Sequence, residues 1–427
     1  MPYGDYEIID ASISLEKVLR MVQAKQKYLG TKGLIVFIAI LSAFVPLSTD
    51  LYLPALPRMS AYFGTSADRI NLTLSAFFIF YALGTLIWGP LSDHYGRKPI
   101  LITGLGLYVI ASASCALMHS VDGLILSRIF QALGGSAAGA VATAIVKDAY
   151  TGKKRESVLA VVQSMVLISP AVAPVLGAFM LKITSWRGIF WNLSGIGLVA
   201  LACSLLFQES IPQRTSGMLL QSMGHLGRVL QNRGFTYLLV LFSLGVISSL
   251  AFIASSTYIY QDGFHLSSQM YSFYFSLNAL GMIAGPMIYL WLARRFHPES
   301  IIWTCFATVA VSGLLVCIFG NLLPWIFALC ILPATIAGSC IRPPSTNMML
   351  EQQKGDTGAV SSLMGCGGLL MGSLGLQLIS LPWNNTILTL GIMMFSTAAI
   401  SLLAWPFVLK HVIRLPGPTP FALQEPD

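Results

Sequence analysis

Twelve predominantly apolar runs, each long enough to cross a bilayer as a helix, leave this chain one solvent to fold in. A hydrocarbon core ~30 Å thick needs about 20 apolar residues at a rise of 1.5 Å each. The runs fall near 34–57, 69–91, 100–118, 122–147, 157–181, 187–207, 234–260, 270–292, 300–319, 323–349, 357–380 and 386–409. In lipid the backbone groups of such a run must pair within it, so helices are expected. The chain is 55% hydrophobic and 10% charged, whereas soluble domains carry about 25% charged residues. The fold class expected is an all-α membrane protein with twelve transmembrane helices.

Charge sets the topography. A net charge of +8 would suggest nucleic acid for a soluble chain, but here it must first be divided between the two membrane sides. With the N-terminus inside, the inner segments hold most of the basic residues, among them Arg97, Lys98, Lys147, Arg233, Arg294, Arg295 and Lys410. The outer segments hold Arg58, Arg69, Lys182 and Arg187. Both termini are therefore expected in the cytoplasm. Connections are short except at 208–233, which is polar and divides the runs into two sets of six. The domains expected are a cytoplasmic segment 1–33, a bundle 34–207, a linker 208–233, a bundle 234–409 and a tail 410–427. Within 1–33, Leu15, Val18, Leu19 and Val22 at helical spacing fit an amphipathic surface helix or a disordered basic arm. The halves repeat in parallel: Gly89-Pro90 precedes Arg97-Lys98 as Gly285-Pro286 precedes Arg294-Arg295. Parallel repeats place substrate and ion sites near the midplane between them, with rocking as the motion. The seven cysteines lie in apolar runs without metal spacing, so they read as small buried residues. No cleavable signal peptide is expected in the polar first 33 residues.

Asp50 is the lone charge of the first run. A carboxylate there costs a few kcal/mol and marks a functional site. Arg128, a few residues into the fourth run, lies at similar depth, and the natural partner for its guanidinium is Asp50, directly or through Gln131 or water. Such a pair is either a proton-coupling device or a static structural pair. Arg342 precedes two prolines in the tenth run, about 13 Å from Glu351. It is either a receptor for a substrate carboxylate or a side chain that snorkels or pairs with Glu351. Tyr258 and Tyr260 belong to an aromatic group with Phe264, Tyr271, Phe273, Tyr274 and Phe275. That group suits an interfacial belt, though the two tyrosines could line a pocket. Gly365, Gly367, Gly368, Gly372 and Gly375 suit close packing or a flexible gate. There is no phosphate-binding G-x-x-x-x-G-K-[ST] loop, and the single Asp and two Arg within the runs do not make an enzyme's cluster.

Three motifs carry a family resemblance. Gly89-Pro90-Leu91-Ser92-Asp93-His94-Tyr95-Gly96-Arg97-Lys98 resembles the signature loop of the Major Facilitator Superfamily, with His94 where a basic residue is usual. Gly89 is expected to allow close backbone approach and Gly96 a positive φ. Asp93 and Arg97 then form a conformational latch. Asp50-Leu51-Tyr52-Leu53-Pro54-Ala55-Leu56-Pro57, with Leu72-Thr73-Leu74-Ser75, is similar to the bicyclomycin and chloramphenicol resistance subfamily of twelve-helix drug:proton antiporters. Leu126-Ser127-Arg128-Ile129-Phe130-Gln131 resembles the family's arginine motif. Ser169-Pro170-Ala171-Val172-Ala173-Pro174-Val175-Leu176-Gly177-Ala178 resembles its antiporter motif, with Ala173 and Ala178 in place of glycines. Pro170, Pro174 and Gly177 would shape a helix that seals against proton leak, or merely one that packs closely.

The resemblance implies proton-coupled export of drugs or related small molecules from a bacterial cytoplasmic (inner) membrane. Asp50 and Arg128 would couple the proton, and Tyr52, Gln131, Tyr258, Tyr260 and Arg342 would contact substrate. The partners implied are a small-molecule substrate, protons and the lipid bilayer, for a monomer with no cofactor and no nucleic acid. A dedicated exporter of amino acids, peptides or a carboxylate siderophore is the alternative.

Overall fold

Prolines decide where the spans bend. In this computed structural model, which describes residues 26, 28–150, 152–211, 226–352 and 357–411, span 1 begins as a helix over Gly30–Asp50. Pro54 has no N–H for the Asp50 carbonyl and Pro57 none for that of Leu53, so the helix stops there. A 3-10 turn, Leu53–Ala55, and a short helix, Leu56–Phe63, complete the span. The expected run 34–57 therefore ends in a break rather than a helix end, and Asp50 is the last residue of a helix, not an interior one. The expected surface helix near Leu15–Val22 lies outside the described residues, as do most of the linker and tail.

The remaining spans are Ala67–Tyr95 (2), Arg97–Leu117 (3), Val121–Ala149 (4), Gly152–Ile183 (5), Trp186–Leu206 (6), Arg233–Tyr258 (7), Ser268–Leu292 (8), Pro298–Phe319 (9), Pro324–Cys340 with Arg342–Glu351 (10), Thr357–Ile379 (11) and Thr386–His411 (12). Span 7 continues through a π turn at Ile259–Gly263. Span 10 breaks because Pro343 and Pro344 remove the donors that would reach the Ser339 and Cys340 carbonyls. Side-chain caps hold four helix starts: Ser120, Asn232 and Ser267 accept from the N–H groups of Gly123, Phe235 and Met270 at 3.2 Å each, and Asn385 from that of Leu388 at 3.0 Å.

Packing repeats between the halves. Span 4 packs on spans 2 and 3 as span 10 packs on 8 and 9; span 1 meets 5 as 7 meets 11; span 3 meets 6 as 9 meets 12. The halves touch chiefly through the pairs 2–11 and 5–8, which are equivalents under the same repeat. The apolar core divides accordingly. One cluster joins both halves at one end, from Leu51, Tyr52 and Phe77 to Ala254, Tyr260 and Ile379. At the other end, which carries Arg97, Lys147, Arg233 and Arg294, each half has its own cluster. We call the first the closed end and the second the basic end.

Among the described residues all seven cysteines are free. The aromatic group at the closed end is mostly an internal stack rather than an interfacial belt. Tyr260 is buried, parallel to Tyr274 at 5.1 Å and edge-on to Phe327 at 5.4 Å, while Phe273 is exposed.

Candidate functional site

Asp50 terminates its helix beside the seam between the halves. Its side chain is buried, and Thr49 Oγ1 donates to its Oδ1 at 3.0 Å. Arg128 is fully buried nearby, yet it reaches span 1 through the backbone. Its Nη1 donates to the Ser48 carbonyl at 3.0 Å and to Gln131 Oε1 at 2.5 Å, and its Nε to the Thr73 carbonyl at 3.5 Å. Its guanidinium carbon lies 4.2 Å from the Phe77 ring centroid and 4.7 Å from that of Tyr52. Stacked rings and carbonyls thus disperse a charge that would otherwise face hydrocarbon. The expected Asp50–Arg128 ion pair is not formed in this conformation, because the helix ends at Asp50 and Arg128 is taken up by the Ser48 carbonyl, two residues earlier, and by Gln131. Arg128 Nη2 is left without a partner.

A chain of hydroxyls fixes this cage. Gln131 Nε2 donates to Ser112 Oγ at 2.8 Å, Ser112 donates to the Tyr108 carbonyl at 2.7 Å, and the Ser48 and Tyr108 hydroxyls lie 2.6 Å apart. The Tyr52 hydroxyl bonds Thr73 Oγ1 at 3.1 Å. Tyr52 and Gln131 are therefore committed to holding Arg128, with no surface turned toward a cleft. Span 5 closes against the break in span 1 here: a Cβ on Gly177 would sit 1.9 Å from the Leu51 carbonyl oxygen. Only glycine allows that approach.

The seam at the closed end is made of neutral hydrogen bonds, none of which the sequence pattern singled out. Asn71 Nδ2 donates to Ser380 Oγ at 2.8 Å and Ser75 Oγ to Gln377 Oε1 at 3.2 Å, joining spans 2 and 11. Thr257 and Gln261 donate to the carbonyls of Leu53 and Pro54 at 3.0 and 3.1 Å. Ser272 and Gln269 donate to the carbonyls of Pro174 and Ala178 at 2.9 and 3.1 Å. The signal that could have found them is polar residues one turn apart inside apolar spans, as at Asn71 and Ser75. Tyr258 stands at the same end, its buried hydroxyl close to that of Ser60.

At the basic end the halves part. A cleft of about 630 Å³ opens there, lined by Tyr81, Gly89, Asp93, Gly139, Lys147 and Gly365 among others. Gly89 faces this space with nothing within 4 Å of a Cβ, so the expected close approach is absent; Gly285, its counterpart in the second repeat, makes it instead, against Ser339. Gly372 and Gly375 of span 11 pack on Leu250 and Ile247 of span 7, while Gly365 is open. In the turn after span 2, Gly96 has φ +106°, a conformation that disfavours any side chain. Arg97 pairs with Asp93 at 2.5 Å and with Asp148 at 2.9 Å. Glu209, past span 6, accepts from the Arg97 and Lys98 N–H groups at 3.0 and 3.1 Å. Asp148 and Glu209 escaped the sequence pattern because they lie far along the chain from the loop they hold.

Arg342 opens the second piece of span 10. It is exposed, and its guanidinium has no hydrogen-bond or ion-pair partner among the described residues. Glu351 is engaged by Asn347 at 2.7 Å.

Two six-helix halves, sealed at one end and parted at the other around a cleft, form the body of a membrane carrier rather than of an enzyme or pore. Residues 38–376 match the family model described as Major Facilitator Superfamily, and the chain belongs to that family. It is 29% identical to an uncharacterized MFS-type transporter, YdgK, of Bacillus subtilis over 86% of this chain and 93% of that one. It is also 29% identical to a chloramphenicol resistance protein of Pseudomonas aeruginosa, covering 80% and 82% of the two chains. In structure it is similar to a bacterial homolog of the human lysosomal transporter Spinster in an inward-facing, unoccupied conformation. That match has TM-score 0.70 and 14% identity, over 88% of this chain and 97% of the other. The protein is thus a multi-pass membrane transporter of small molecules.

Proposed function

We propose that this protein exports drug-like small molecules across a bacterial cytoplasmic membrane in exchange for protons, with Asp50 as the coupling carboxylate. The names of its resistance relatives support export of drugs. The observation that carries the coupling role is a buried acid at a helix end, one turn from the seam carbonyls of Leu53 and Pro54. With the basic end in the cytoplasm, the conformation seen here is inward-open.

When the seam bonds open, the helix end is uncovered and Asp50 takes a proton from outside. When they close, that proton travels in with the carboxyl group. Release toward the cleft leaves a carboxylate, and Arg128 Nη2 is a buried donor without a partner that it could engage. Substrate entering the cleft favours that release. One charge moved through 100 mV is worth about 2.3 kcal/mol, nearly fiftyfold in gradient. Asp93, Arg97 and Asp148 act as the latch that holds the basic end in one state.

The test is uptake of chloramphenicol and ethidium into everted vesicles under an imposed proton gradient. Accumulation that collapses with a protonophore is expected. Flux indifferent to the gradient would instead indicate a passive pathway.

A further inference from the structure

Resting on that export function, we propose that Arg342 receives a carboxylate of the transported molecule, so that the cleft takes anionic or zwitterionic compounds in preference to their neutral esters. Three observations lead there.

First, Arg342 does not face lipid. Trp325 and Leu329 are exposed and lie about 40° apart around the helix, which marks the lipid side of span 10. Gly338 lies nine residues beyond Leu329, roughly 180° around at about 100° per residue. It is exposed, with nothing within 4 Å of a Cβ. A helix face that is turned from lipid and still open can only line space between the halves. Arg342, one turn beyond Gly338, continues that face at about 220° and is exposed too.

Second, Arg342 is unspent. Arg128 on span 4 is wrapped in carbonyls and rings, whereas Arg342 has no partner among the described residues. Glu351, the acid nearest along the helix, is held by Asn347. Arg342 sits nine residues from that end, roughly 13 Å along the axis, on the helix face turned from lipid. A lipid headgroup is thus not its natural counterion.

Third, depth matches the cleft. Arg342 is 18 residues after Pro324, the start of span 10, as Gly139 is 18 after Val121, the start of span 4 (342 − 324 and 139 − 121). Gly139 lines the cleft. The same level on the opposite wall is where Arg342 stands. An intramembrane cation without a partner is a functional site awaiting one. The planar fork of a guanidinium matches a carboxylate through two parallel hydrogen bonds.

The experiment measures binding to the purified full-length protein by isothermal titration, using norfloxacin and its methyl ester, with benzoate as competitor. We expect the acid to bind at least tenfold tighter than the ester. In R342Q that ratio should fall below twofold, and in R342K it should lie between. Benzoate should displace norfloxacin from the wild type at concentrations that leave ester binding untouched. An acid-to-ester ratio that is near one in the wild type, or unchanged in monodisperse R342Q, overturns the assignment. Displacement by inorganic phosphate but not by benzoate overturns it as well, in favour of a headgroup site. Binding is read without a gradient, so loss of proton-driven uptake would strike the export function and leave this result standing.

Discussion

The closed and basic ends of the seam between the halves are built from different chemistry. Where the halves meet, hydroxyls and amides donate to each other and to backbone carbonyls across the gap, at Asn71, Ser75, Thr257 and Gln261. Where they part, charges dominate, but they bond within one half: Arg97 to Asp93 and Asp148. Among the described residues no ion pair crosses the seam. The difference bears on how such a molecule can move. A neutral hydrogen bond contributes about 0.5–1.5 kcal/mol net, because water replaces it on opening. A seam of such bonds can shut tightly as a set and still open on thermal timescales. A desolvated ion pair across it would cost several kcal/mol to break one-sidedly.

The strongest way to break the contrast is to deny the closed end its contact. Gly177→Val places side-chain atoms where the Leu51 carbonyl already is. Overpacking of that kind costs about 3 kcal/mol when neighbours yield, and here the neighbour is backbone. We expect loss of the monodisperse peak in size-exclusion chromatography, or a protein trapped with the closed end open. Normal folding and uptake would mean that spans 1 and 5 need not touch. Arg128→Met comes next. It strands the Ser48 carbonyl and Gln131 Oε1, at about 1–3 kcal/mol for each buried group left unpaired. Thermal unfolding should report a clear fall in Tm, and Arg128→Lys should recover only part of it, since an ammonium has neither the planar face that stacks on Phe77 nor a second nitrogen for the Thr73 carbonyl.

Asp50→Asn keeps the shape and removes the titration. Accumulation driven by the proton gradient should vanish, a change of up to about fiftyfold at 100 mV. Substrate exchange without a gradient should persist, since Thr49 can still donate to the amide oxygen. Proton release on substrate addition, recorded in weak buffer with the purified protein, should be lost; unchanged release would remove Asp50 from the mechanism.

These residues differ in how far sequence alone reveals them. Apolar length gave twelve spans, but 34–57 and 323–349 were each expected as one run; the breaks at Pro54, Pro57, Pro343 and Pro344 could have been read there, because a missing N–H acts locally. Gly96 was legible for the same reason: a turn that needs positive φ states its need in one residue. The partner of Arg128 was not legible. Depth placed Asp50 opposite it, but which acceptor a guanidinium takes depends on where a helix stops, and this one stops at Asp50 itself. Sequence alone leaves Tyr260 between an interfacial belt and a pocket wall, and in this conformation it is a packed ring. The orientation of Arg342 is left open by the sequence, because apolar residues occupy every side of span 10 and only the fold shows which of them are exposed.

The gentlest change probes the seam bonds directly. Gln377→Ala removes the acceptor of Ser75 Oγ but leaves Ser75 its intrahelical bond to the Asn71 carbonyl. Nothing buried is stranded, so the cost is that of one net neutral bond, about 1 kcal/mol. That shifts a two-state equilibrium by about fivefold toward opening of the closed end. Spin labels at positions 65 and 382, in loops of that end, should gain a longer-distance population in pulsed EPR. If Gln377→Ala leaves the distribution as it was, the closed end is held by the apolar cluster around Tyr52 and Ala254, and the hydrogen bonds only set its register.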